Sequence, residues 1–71
     1  MRKKNKTYYL IRYNCCNGFM MMEKVVDTFD DAVLFFKEYI RNCDDYNRYI
    51  EVFTVTKKWN KKEFEKVLVW F

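Results

Sequence analysis

RYIEVFTVTKKWNKKEFEKVLVWF, residues 48–71, decides the fold. Two runs rich in β-branched and aromatic residues, 48–58 and 63–71, flank the polar stretch WNKK at 59–62. Such side chains suit a pleated, half-buried surface, so the runs read as the two strands of a hairpin. With Asn60 and Lys61 at the loop centre, Lys58 faces Glu63 and Thr56 faces Glu65, two favourable cross-strand pairs. Strict alternation then puts Phe53, Val55, Phe64, Leu68 and Trp70 on one side of the hairpin. Ile50, Val52, Thr54, Val67, Val69 and Phe71 fall on the other. Both sides are apolar, which is the tension the rest of the chain must resolve.

Working outward, residues 7–13 (TYYLIRY) form another strand, and the Asn17-Gly18 pair is a strong hairpin signal, because both turn positions tolerate positive φ. Residues 19–26 (FMMMEKVV) return. A two-residue loop at Asn17-Gly18 pairs Arg12 with Glu23 and Leu10 with Val25. That ion pair marks a wetter face. Tyr9, Ile11, Tyr13 and Cys15, with Met20, Met22 and Val26, are then the core face, and Lys24 is its misfit.

Between the hairpins, TFDD at 28–31 has the form of a helix start: Thr28 can accept from free backbone N–H groups, Asp31 can reach back, and both aspartates suit the positive end of the helix dipole. Phe29, Ala32, Val33, Phe36, Tyr39, Ile40 and Cys43 recur at helical spacing, with Leu34 and Phe35 widening the stripe. The helix ends near 42–45, where Asn and Asp favour turns. The order strand, strand, helix, strand, strand gives an α+β fold, ββαββ. It is a four-stranded antiparallel sheet of two hairpins side by side, with one helix packed on one face. The domain spans 7–71, after a basic, flexible tail at 1–6.

Composition narrows the chemistry. The chain has 71 residues, 21% aromatic, far too aromatic for a disordered segment. It contains no His and no Ser, so neither a Ser-His-Asp triad nor a Cys-His pair can be built, and the reading is of a protein that is not an enzyme. Cys15, Cys16 and Cys43 match no structural zinc spacing and read as three reduced thiols in a cytoplasmic protein. An intermolecular disulfide through the odd thiol is the competing reading. Asp27, Asp30 and Asp31 are explained by the helix start, and lack the glycine and spacing of a calcium loop. No cofactor or metal is called for. No apolar run approaches the length a bilayer requires, so no membrane partner is expected. The net charge of +4 comes from Arg2, Lys3, Lys4 and Lys6, because from Thr7 onward ten basic residues balance ten acidic ones.

The functional expectation follows from the apolar excess. One helix covers one face of such a sheet, so apolar residues on the other face should meet another molecule. Ile50, Val52, Val67, Val69 and Phe71, with the tyrosines Tyr46 and Tyr49, are the candidate protein interface, engaged as a homodimer, by an unknown host protein, or both. The Met20-Met21-Met22 run reads mainly as core, with one or two side chains turned inward. The alternative is a small nucleic-acid-binding protein that uses the basic tail and the hairpin tip. There Lys57, Lys58, Lys61 and Lys62 surround Trp59, cations for phosphates around a ring on which a base can stack.

In its size, its freedom from proline and its richness in Lys, Asn, Tyr and Phe, the whole chain resembles small accessory proteins of phages that infect low-GC bacteria. Anti-CRISPR and other anti-defence inhibitors are of this kind. The resemblance implies a compact α+β inhibitor that blocks a host defence complex by surface contact in the host cytoplasm. It carries no family residue onto this chain. Unlike the acidic, DNA-mimicking inhibitors, this chain is basic, which favours docking to a protein surface over charge mimicry.

Overall fold

The structure, a computed structural model, describes residues 6–14, 20–43 and 48–71. Strand β1 (Lys6–Asn14) and strand β2 (Met21–Val26) precede helix α1 (Phe29–Asn42), and strands β3 (Ile50–Lys58) and β4 (Lys61–Trp70) follow it. The strands form one antiparallel sheet in the order β2-β1-β3-β4, so the two hairpins lie side by side. The helix packs across one face. This is the expected ββαββ arrangement.

Local chemistry explains the elements. Thr28 caps α1: its side-chain oxygen accepts from Asp31 N at 3.1 Å. Ala32, Tyr39 and Cys43 face the sheet and are buried, while Phe35 and Phe36 pack against the same cluster. The β1–β2 register is the one the sequence implies, with Leu10 opposite Val25 and Arg12 opposite Glu23. Tyr9, Ile11, Tyr13 and Val26 do face the core, and Lys24 is accommodated with its ammonium 5.7 Å from the centre of the Phe35 ring. The turn at Asn17-Gly18, and Cys15, lie outside the described residues. Met20, Met21 and Met22 are all exposed, which corrects the core reading of that run. β2 is an edge strand, and the apolar cluster reaches only as far as its Val26 end.

Strand β4 departs from strict alternation. Val52 is opposite Leu68, but Phe53 is opposite Lys66, so Val67 is an extra residue, a β-bulge. Leu68 and Trp70 therefore join Ile50 and Val52 under the helix, whereas Phe64 shares the opposite face with Phe53 and Val55. This overturns the assignment of Ile50 and Val52 to an exposed interface: both are 0% exposed, at the centre of the core. The bulge lets one strand supply apolar side chains to opposite faces along its length.

The hairpin tip is also shifted. Trp59 and Asn60, not Asn60 and Lys61, form the loop, and Thr56 is opposite Glu63 instead of Glu65. The shift sets Phe64 opposite Val55, where the expected register would have put Lys57. Pairing two apolar side chains outweighs the repulsion of lysines at an exposed, screened tip. Lys58 still reaches Glu63 diagonally, at 3.3 Å.

Candidate interaction surface

Among the described residues no element lies over the face of the sheet away from α1, and the strand registers divide that face into rows. At the base, near the start of β3, a carboxylate organises the row. Glu51 accepts a hydrogen bond from the Tyr49 hydroxyl and lies 3.1 Å from Lys66 Nζ and 3.8 Å from Arg12. Arg12 in turn sits 3.4 Å from Glu23. These side chains close over Glu51, which is buried on a face that no helix covers. Burial by itself pushes the Glu51 carboxyl up. The hydrogen bonds from Tyr49 and Lys66 and the charges of Lys66 and Arg12 outweigh it and hold the group below its ordinary value. The same hydrogen bond to Glu51, then burial and the carboxylate charge, push the Tyr49 hydroxyl up.

Toward the hairpin tip the face turns apolar. Val25, Leu10 and Phe53 form one row, closed at its β4 end by Lys66, whose ammonium lies 5.8 Å from the centre of the Phe53 ring, and Tyr8, Val55 and Phe64 form the next. The Phe53 and Phe64 rings meet edge to face with centroids 6.4 Å apart. Val55 is fully buried within this layer, yet Val25 is 58% and Phe64 54% exposed. The opposite side of the same stretch carries Thr7, Thr56 and Glu63, then Thr54 and Glu65 beside Tyr9, where the core ends. Polar residues thus line the distal part of the helix-side face, while Val25 and Phe64 expose apolar surface on the rear of the same stretch. The last row, at the tip, is Lys6, Lys57 and Lys62, one from each of three adjacent strands.

The other expected site residues are distributed unevenly. Val69 and Phe71 are exposed, and Val67 is exposed at the bulge. Tyr49 stacks on Phe71 with centroids 6.0 Å apart. Tyr46 lies outside the described residues. Trp59, 83% exposed, sits at the hairpin tip between Lys58 and Lys61 with φ of 50°. Sequence reasoning missed Leu10, Val25, Phe53 and Phe64 as a surface. Leu10 and Val25 had been paired correctly on the wetter face, and the row they join becomes apolar only once β1 is placed beside β3.

Two further features bear on chemistry. A depression of about 210 Å³ on the second half of α1 is lined by Phe35, Glu38, Tyr39, Asn42 and Cys43. Cys43 is disulfide-bonded, which corrects the reading of three reduced thiols; the other two cysteines of the chain, Cys15 and Cys16, fall outside the described residues. Among the described residues no helix is long and apolar enough to cross a membrane. No protein-family model matches the chain, and neither do the curated proteins or the solved structures.

Proposed function

We propose that this chain is a non-enzymatic protein-binding module that pairs as a homodimer through the rear face of its sheet and acts on a host protein partner. One observation carries the reading: two adjacent rows, Val25, Leu10 and Phe53 ending in Lys66 and then Tyr8, Val55 and Phe64, lie on a face that no element among the described residues covers. At about 25 cal/mol per Å² of apolar surface removed from water, a patch of this kind drives association once it is matched by an equally apolar surface. A second copy is such a surface. The Glu51 network and the lysine row would then lie at the two ends of the contact as a polar rim. The target reading, a phage-type inhibitor of a host defence complex acting in the cytoplasm, rests on the resemblance in size and composition alone.

Sedimentation tests the surface directly. The wild type is expected to be dimeric at about 100 μM, a concentration at which even a weak specific contact is populated. Val25→Lys combined with Phe64→Lys, both at exposed positions, is expected to leave a folded monomer. A wild type that stays monomeric at that concentration overturns the homodimer. Capture from a host lysate with wild type but not with the double variant would support a partner using the same face, and equal capture by both would count against it.

A further inference from the structure

Lys6, Lys57 and Lys62 stand side by side across β1, β3 and β4. Neighbouring strands lie about 4.8 Å apart, so the row places three like charges in direct cross-strand register, an arrangement that works against the sheet. None of the three has an ion-pair partner among the described residues. Immediately beyond the row, Lys58 is opposite Lys61, and among the described residues the only carboxylate paired with either is Glu63. The segment that leads into Lys6 is itself basic, MRKKN. Read linearly, the basic N-terminus and the Lys/Trp turn are two separate features about fifty residues apart. The β1–β3 register sets Lys6 beside Lys57 at one end of the sheet. The acidic residues of the helix, Asp30, Asp31 and Glu38, belong to the element packed over the other end.

Trp59 adds an independent observation. It occupies the left-handed backbone region, with φ of 50°, at the first position of a two-residue turn where glycine would sit without strain. A bulky aromatic there costs backbone energy and, at 83% exposure, recovers little of it by burial. A ring exposed beside Lys58 and Lys61 is suited to stacking on an unpaired base.

We infer that the hairpin-tip end of the sheet is a binding site for single-stranded nucleic acid. Lys6, Lys57 and Lys62 contact successive phosphates along the row, Lys58 and Lys61 neutralise others, and Trp59 stacks on a base. The site lies beyond the apolar rows of the proposed protein interface and takes a different ligand, so each can fail without the other.

Fluorescence anisotropy of the full chain with a labelled oligothymidylate and with a duplex of equal length, across a salt series, tests it. The single strand is expected to bind with log K falling against log salt at a slope of about −3.5, as five phosphate contacts require at about 0.7 per contact. Lys57→Ala with Lys62→Ala should weaken binding at least tenfold at low salt and flatten that slope by about 1.4. Trp59→Ala should weaken the single strand about tenfold with the slope unchanged. Lys37→Ala, on the exposed side of α1, should change nothing. Circular dichroism melts of each variant establish that the fold is intact. A duplex bound as tightly as the single strand, competition by polyaspartate as effective as by unlabelled oligonucleotide, or wild-type affinity in the lysine double variant would each overturn the assignment.

Discussion

Glu51 lies on the open face of the sheet and is nonetheless buried, because Tyr49, Lys66 and Arg12 close over it. Its folded-state pKa lies below the ordinary value of 4.5. A carboxyl held down in the folded state binds fewer protons there than in the unfolded chain, so its contribution is complete above that ordinary value and disappears as pH falls through the lower, folded one. Glu51→Gln is therefore expected to cost about 1–3 kcal/mol at neutral pH, as an unmatched Lys66 and a weakened Tyr49 bond imply. It should also flatten the decline in stability between pH 5 and pH 3. Urea unfolding at several pH values reads both, and an unchanged acid slope in the variant would remove Glu51 as its source. A second residue acts as a clamp: the buried Tyr39 hydroxyl donates to the Asn14 carbonyl at 2.7 Å and accepts from Tyr49 N at 3.1 Å. One helix side chain thereby satisfies backbone groups at the end of β1 and just before β3. Neither partnership shows in the helical spacing of Tyr39, which marks it only as apolar-facing.

At the level of the element, β4 shows where sequence patterning stops being informative. The β1–β2 register could be read because Arg12 and Glu23 break up the apolar residues and identify the wet face. The helix could be read because Thr28 and Asp31 mark its start. In VLVWF every position is apolar, so nothing in the string marks where alternation slips, and the bulge at Val67 is invisible until Leu68 and Trp70 are found under the helix. The turn slipped for a related reason: WNKK contains no glycine to peg one position as left-handed, and it is Trp59 that takes that conformation. The bulge carries its own test. Val67→Ala, at a partly exposed site, should cost less than about 1 kcal/mol. Deleting Val67 should leave a regular strand in which Lys66 opposite Phe53 is followed directly by Leu68 opposite Val52, so Leu68, Trp70 and Phe64 keep their faces and unfolding should stay cooperative. Thermal melts of the two variants decide it, and loss of the cooperative transition in the deletion variant would overturn the assignment of Val67 as the extra residue.

The whole molecule is long for its size, 48 × 21 × 15 Å, because the β3–β4 hairpin extends beyond the part of the sheet that the helix covers. A chain of 71 residues has a small core, and here the fully buried large side chains are Ile11, Ile50, Val52 and Val55. The Cys43 disulfide at the end of α1 is therefore expected to contribute a large share of stability, about 2–4 kcal/mol. Cys43→Ser should lower the unfolding free energy by that amount, and dithiothreitol should produce the same loss in wild type but none in the variant. A wild type indifferent to reductant would mean that the bridge does not persist in solution. The disulfide was hidden in the sequence because three cysteines with two adjacent offer no unique pairing, and the expectation of a cytoplasmic protein favours reduced thiols. The shared location of Lys6 and Lys57 was hidden too, since it depends on β1 lying beside β3 and not at the sheet edge.

That lysine row has a consequence for handling as well as for recognition. With five lysines gathered at one extremity, an anionic resin should meet the protein end-on, and retention on a cation exchanger should exceed what its net charge of +4 suggests. Neutralising Lys57 and Lys62 should advance elution much further than removing two basic side chains elsewhere on the molecule, a difference that a bead column can register before any biological ligand is in hand.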